Sequence, residues 1–129
     1  MASSTTSSIT ALGGKIVIDL AVSASTASAN VTSASSGKIY LVQIDNTTNS
    51  TTFYFKIKDA SSAAPANTAS NGAGTPDLMF SCPAYQKITY VIPDGHTYAA
   101  GVSVWGTTSV TIGDTTAAAN DVIVKLVCS

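Results

Sequence analysis

Thr52-Phe-Tyr-Phe-Lys-Ile-Lys-Asp59 decides how the rest of the chain is read. Phe53, Phe55 and Ile57 alternate with Tyr54, Lys56 and Lys58, a period of two that puts three apolar side chains on one face of an extended strand and the polar ones on the other. Wound into a helix, the same residues would be scattered around the axis. Immediately upstream, Lys38–Asp45 is apolar on both faces in its middle, as a central strand would be, and the polar stretch Asn46-Thr-Thr-Asn-Ser joins the two. The pair reads as a hairpin.

Similar text extends in both directions. Lys15–Val22 places Ile16, Ile18, Leu20 and Val22 on one face. An Ala/Ser/Thr-rich stretch from Ser23 to Ser36 holds Ala29 and Val31, enough for a weak edge strand. Downstream, residues 60–76 form a long loop with Pro65, Gly72, Gly74 and Pro76, and Asp77–Cys82 is a short strand stopped by Pro83. Gln86–Ile92 alternates and stops at the turn signal Pro93-Asp94-Gly95. Thr97–Trp105, Thr108–Ile112 and Asp121–Cys128 complete the strands, the last apolar enough for a central place. The expectation is an all-β antiparallel β-sandwich of about eight strands, with a jelly roll as a suitable topology.

Composition supports that reading. The 129 residues include 39 β-branched Val, Ile and Thr against five Leu, and there is no Glu and no Arg. Length suits one domain, assigned to residues 15–129. Residues 1–14 are Ser/Thr-rich, lack a core-building period and end in Gly13-Gly14, so they read as an extended N-terminal arm of the kind that orders against a neighbouring surface.

The same composition sets limits on function. A net charge of −1 without Arg offers no electrostatic footprint or bidentate grip for nucleic acid, so no nucleic-acid partner is expected. Apolar runs are too short for a spanning helix and the first residues lack the pattern of a secretory signal, so neither a membrane partner nor Sec export is expected. Cys82 and Cys128 each end a strand and match no metal spacing; two buried thiols is the simpler reading and a disulfide the alternative. No catalytic, metal or cofactor-binding residue is assigned. His96, the one histidine, follows a turn and is read as solvent-facing. Asp45, Asp59, Asp77, Asp94, Asp114 and Asp121 stand at strand ends or turns, where carboxylates accept bonds from nearby backbone N–H groups. Trp105 and Tyr98 have odd spacing on one expected strand and make no single sugar-stacking platform. The sequons at Asn30, Asn46 and Asn49 are what a chain this rich in Ser and Thr produces by chance.

One order of motifs suggests a family. Ile44-Asp45-Asn46, Phe53 to Ala60, Gly74-Thr75-Pro76-Asp77-Leu78, Pro83-Ala84, Ile92-Pro93-Asp94-Gly95, Ala100-Gly101-Val102-Ser103 and Asp121-Val122-Ile123-Val124 together resemble small virion structural proteins of tailed bacteriophages. The likeness spans about 90 residues of the C-terminal two-thirds and includes no catalytic motif. It implies a β-sandwich subunit, commonly a homotrimer, made in the host cytoplasm and placed on the capsid exterior. There it would act as a decoration or cement protein whose partners are itself and the major capsid protein. A tail, neck or fibre component and a carbohydrate-binding sandwich for host attachment are the alternatives. Candidate interface residues are Ser3, Thr5, Ser8, Ile9 and Leu12 in the arm, and Pro65, Asn71 and Pro76 in the long loop.

Overall fold

Alternating apolar residues have one economical use: two sheets laid face to face. In the computed structural model, residues 4–5, 9–12, 15–22, 31–32, 36–61, 75–111 and 116–129 are described, and every regular element among them is a β-strand. The strands are β1 (Ser4–Thr5), β2 (Ile9–Leu12), β3 (Lys15–Val22), β4 (Gly37–Asp45), β5 (Phe53–Asp59), β6 (Leu78–Cys82), β7 (Lys87–Tyr98), β8 (Val102–Thr107) and β9 (Val122–Cys128). A six-stranded antiparallel sheet runs β1-β3-β9-β4-β7, with β2 also on β3, and a three-stranded sheet runs β6-β5-β8. Ile18, Leu20, Val42, Ile44, Val124 and Leu126 of the larger sheet meet Phe53, Phe55, Ile57 and Val104 of the smaller in one buried cluster.

Strands β4 and β9, apolar on both faces in the sequence, lie inside the larger sheet as expected. The order β3-β9-β4-β7 stands against β8-β5-β6 in an all-β sandwich, and residue 31, between β3 and β4, reaches β8. Val31 N–H donates to Val102 O at that position, at 2.8 Å. Most of the weak edge strand expected over 23–36 falls outside the described residues. The segment assigned as an arm carries β1 and β2, which pair with β3 of the same chain: Ser4 opposite Ala21, Thr5 opposite Leu20, Ile9 opposite Val17 and Leu12 opposite Lys15.

Four local expectations are corrected. Lys38–Asp45 and Thr52–Asp59 do not form a hairpin, because Asn46–Thr52 carries the chain from one sheet to the other. Pro93-Asp94-Gly95 does not end its strand. Ile39 faces His96 while Leu41 faces Val91, so β7 bulges through the three residues, and β7 is an edge strand where a proline removes no ladder bond. His96 is consequently half-buried in a strand, not solvent-facing in a turn. Thr97–Trp105 is two strands, since the chain leaves the larger sheet at Tyr98 and joins the smaller at Val102. Thr108–Thr111 is not a strand. Thr107 Oγ1 bonds Ser109 N and O, and Ser109 Oγ accepts from Thr111 N, so local side-chain bonds displace the ladder.

Phe53 fixes the spacing at the inner face. A Cβ on Gly106 would stand 2.0 Å from Phe53 Cζ, so the ring occupies the space that glycine leaves. Gly106→Ala should lower unfolding free energy by about 1–3 kcal/mol through overpacking, and Phe55→Ala by about 3–5 kcal/mol through a cavity. Urea denaturation checks both; a loss under about 0.5 kcal/mol for either would contradict this packing.

Candidate interaction surface

Most polar side chains of the described residues that sequence reading singled out turn back on their own backbone. Asn46, fully buried, donates from Nδ2 toward the carbonyls of Thr51 (2.9 Å), Cys82 (3.1 Å) and Pro83 (3.2 Å), and its Oδ1 accepts from Asn49 Nδ2 (3.0 Å). Asn49 reaches on to Asn120, donating to its carbonyl at 3.1 Å and accepting from its N–H at 2.8 Å. Two of the three sequon asparagines are therefore amide ties that join the β4–β5 crossing, the β6–β7 turn and the approach to β9. Asn30 lies outside the described residues.

A second tie holds the corner where the chain changes sheets after β7. The Asp59 carboxylate accepts from the N–H groups of Ala99 (2.9 Å), Ala100 (2.8 Å) and Gly101 (3.2 Å). Desolvation pushes its pKa up, but these three donors together with the charge of His96 outweigh it, and the net shift is downward. Asp77 Oδ2 accepts from Asp59 N at 2.7 Å, and Asp45 Oδ1 from Thr47 Oγ1 and N, the hydroxyl bond leading in lowering the Asp45 pKa. The strand-end reading thus describes Asp45, Asp59 and Asp77. Asp121 departs from it: its Oδ1 is buried without a hydrogen-bond partner.

The thiols are free and buried. Burial pushes Cys82 upward and Cys128 up to about 12, so the nucleophilic thiolate is disfavoured at both. Trp105 and Tyr98 are also buried, Trp105 at 1 % exposure, and present no stacking face. Among the described residues no group of three or more His, Cys, Asp or Glu could hold a metal, and no helix is long and apolar enough to cross a membrane.

The two outer faces differ sharply. On the smaller sheet, Lys56, Ser103, Trp105 and Thr107 are all buried, and Lys56 Nζ donates to Thr107 Oγ1 at 2.9 Å, although the alternation of β5 assigns Lys56 to a polar surface. On the larger sheet, Val17 stands opposite Val127, Val127 opposite Leu41, and Leu41 opposite Val91. This apolar row crosses four strands and is open to solvent, with Val17, Leu41 and Val127 half-exposed and Val91 66 % exposed. Polar rows flank it. On one side Asp19 meets Lys125 at 3.9 Å and Gln43 Nε2 donates to Thr89 Oγ1 at 3.1 Å; on the other Lys15 Nζ lies 4.8 Å from the centre of the Tyr40 ring. A polar-rimmed apolar strip of this kind is a candidate contact surface, and among the described residues Met79, Tyr85, Val110 and Ile123 are the other large apolar side chains left exposed.

Of the candidate interface residues, Thr5, Ile9 and Leu12 sit in β1 and β2, and Ile9 shares register with Val17 at one end of the row. Pro76 is half-buried just before β6. Ser3, Ser8, Pro65 and Asn71 lie outside the described residues. Sequence reading missed Val17, Leu41, Val91 and Val127. For Leu41 and Val127 the signal is an apolar residue on the second face of a strand that reads as central, which implies burial; Val17 and Val91 stand on the second face of strands that read as apolar on one face only. No family model, curated protein or solved structure matches the chain.

Two substitutions test the ties. Asn46→Asp would set a carboxylate against three carbonyls and should cost about 3–5 kcal/mol at neutral pH, measured by urea unfolding. Near-native stability would show that the amide is not holding the crossing. For Asp59, the folded pKa lies below the unfolded value of about 3.9, so its contribution is complete above that value and disappears as pH falls through the folded pKa. Asp59→Asn should therefore be less stable than the native chain at pH 7 and converge with it in acid; a pH-independent difference would contradict the carboxylate role.

Proposed function

We propose that the chain is a non-enzymatic structural subunit of a virus particle, a decoration or cement protein that bridges neighbouring major capsid subunits. The open apolar row on the larger sheet carries this reading, because such a strip on a small, rigid sandwich is suited to subunit contact. The ties at Asn46 and Asp59 support it: they fix two of the crossings between sheets, β4–β5 and β7–β8, and hold the ends of that face, as repeated symmetric contact requires. Two-sheet sandwiches of the jelly-roll kind are common in viral shells and also in lectins, so the fold supports the reading by analogy only. The motif order resembling tailed-phage virion proteins separates the two, and the buried Trp105 removes the aromatic that a sugar site would most readily display.

Quantitative gel densitometry of purified particles tests the placement. The chain should be present in proportion to the shell subunits, and particles lacking it should open at lower temperature. A copy number matching a single tail or neck ring, or equal heat resistance with and without the chain, would contradict a cement role.

A further inference from the structure

We propose that the outer face of the larger sheet binds the same face of a second copy of this chain, about a two-fold axis lying along the row from Val17 to Val91. This inference rests on the reading of the chain as an assembly subunit and names the partner of its open face.

The occupant follows from how charge is arranged around the row. On β3, Lys15 and Asp19 stand two residues either side of Val17 and so share its outward face. A half-turn about the row lays one face on the other and exchanges its flanks. Lys15 of each copy then lies over Asp19 of the other, giving two equivalent ion pairs from one arrangement. On β4, Lys38 is level with Lys15, but the residue level with Asp19 is Gln43 and Asp45 lies two residues further along, so the pairing rests on β3. Lys125 and Lys87 stand on the Asp19 flank, opposite Asp19 and Asp45 in register, so that flank is neutral, while on the Lys15 flank Asp94 of β7 lies beside Lys38, whose Nζ donates to its carbonyl. A half-turn about an axis along the strands would instead lay β3 over β7 of the other copy and take Lys15 away from Asp19.

Shape agrees with charge. Val and Leu are short, and a row of them lets two sheets approach to about 10 Å, the ordinary spacing of stacked sheets. Lys15 is held at the border of the row by the Tyr40 ring. A patch complementary to itself gives a closed pair; a three-fold ring needs two different patches in contact. The row is roughly 15–20 Å across its four strands, which makes the contact a small one among specific interfaces.

Sedimentation equilibrium of the full chain over a wide concentration range tests the proposal. Mass should rise from the 13.0 kDa of one chain to twice that value. Val91→Lys, on an exposed edge-strand position that folding tolerates, should raise the dissociation constant at least about tenfold. Lys15→Asp and Asp19→Lys should each weaken the pair about tenfold, and the double variant Lys15→Asp/Asp19→Lys should recover most of that loss. Circular dichroism confirms that each variant is folded. A single-chain mass at every concentration, a trimer, an unaffected Val91→Lys variant, or a double variant no tighter than the single ones would overturn the two-fold pairing. Shell attachment measured in parallel separates the ideas: attachment without pairing removes this inference and leaves the subunit reading in place, and pairing without attachment does the reverse.

Discussion

A buried side-chain amide governs this fold. Asn46 lies where the chain leaves the larger sheet, and without it the carbonyls of Thr51, Cys82 and Pro83 would face the end of the sandwich with one fewer donor. Buried backbone carbonyls need partners, and the Asn46 amide, itself fully buried, supplies donors to these. The amide meets that need while redirecting the chain, so β4 and β5 enter different sheets instead of pairing. Asp59 does the corresponding work at a later crossing, accepting three N–H groups at the corner between β7 and β8. With these two crossings fixed, the inner faces meet and Phe53 settles over Gly106.

That division of labour explains where interaction surface remains. The polar groups tied to backbone lie at the ends of the sandwich, and the smaller sheet has its outer face buried around Trp105 and Lys56. The larger sheet keeps an outer face whose middle row is apolar. Its outer strand β7 carries a proline and a bulge, features that discourage edge-to-edge pairing.

Fold class was legible because a period of two leaves little freedom: Phe53, Phe55 and Ile57 point inward as read, and β4 and β9 take the inner positions that their two-sided apolar text implies. What misled was punctuation. Asn46-Thr-Thr-Asn-Ser has the chemistry of a hairpin turn, and only the long-range bonds of Asn46 and Asn49 to residues 82, 83 and 120 make it a crossing. Pro93-Asp94-Gly95 likewise looks like a stop, yet an edge strand absorbs it as a bulge. The surface row was hidden for a related reason: Leu41 and Val127 are apolar on the face opposite the core, and an isolated sequence does not distinguish a face covered by its own chain from one left for a partner.

Methyl NMR followed over a concentration series tests this account most directly. Resonances of Val17, Leu41, Val91 and Val127 should shift or broaden as the chain is concentrated, while those of the inward-facing Val42, Val124 and Leu126 stay in place. Unmoved outer methyls, or inner and outer methyls changing together, would contradict a rigid sandwich that associates through the open face of its larger sheet.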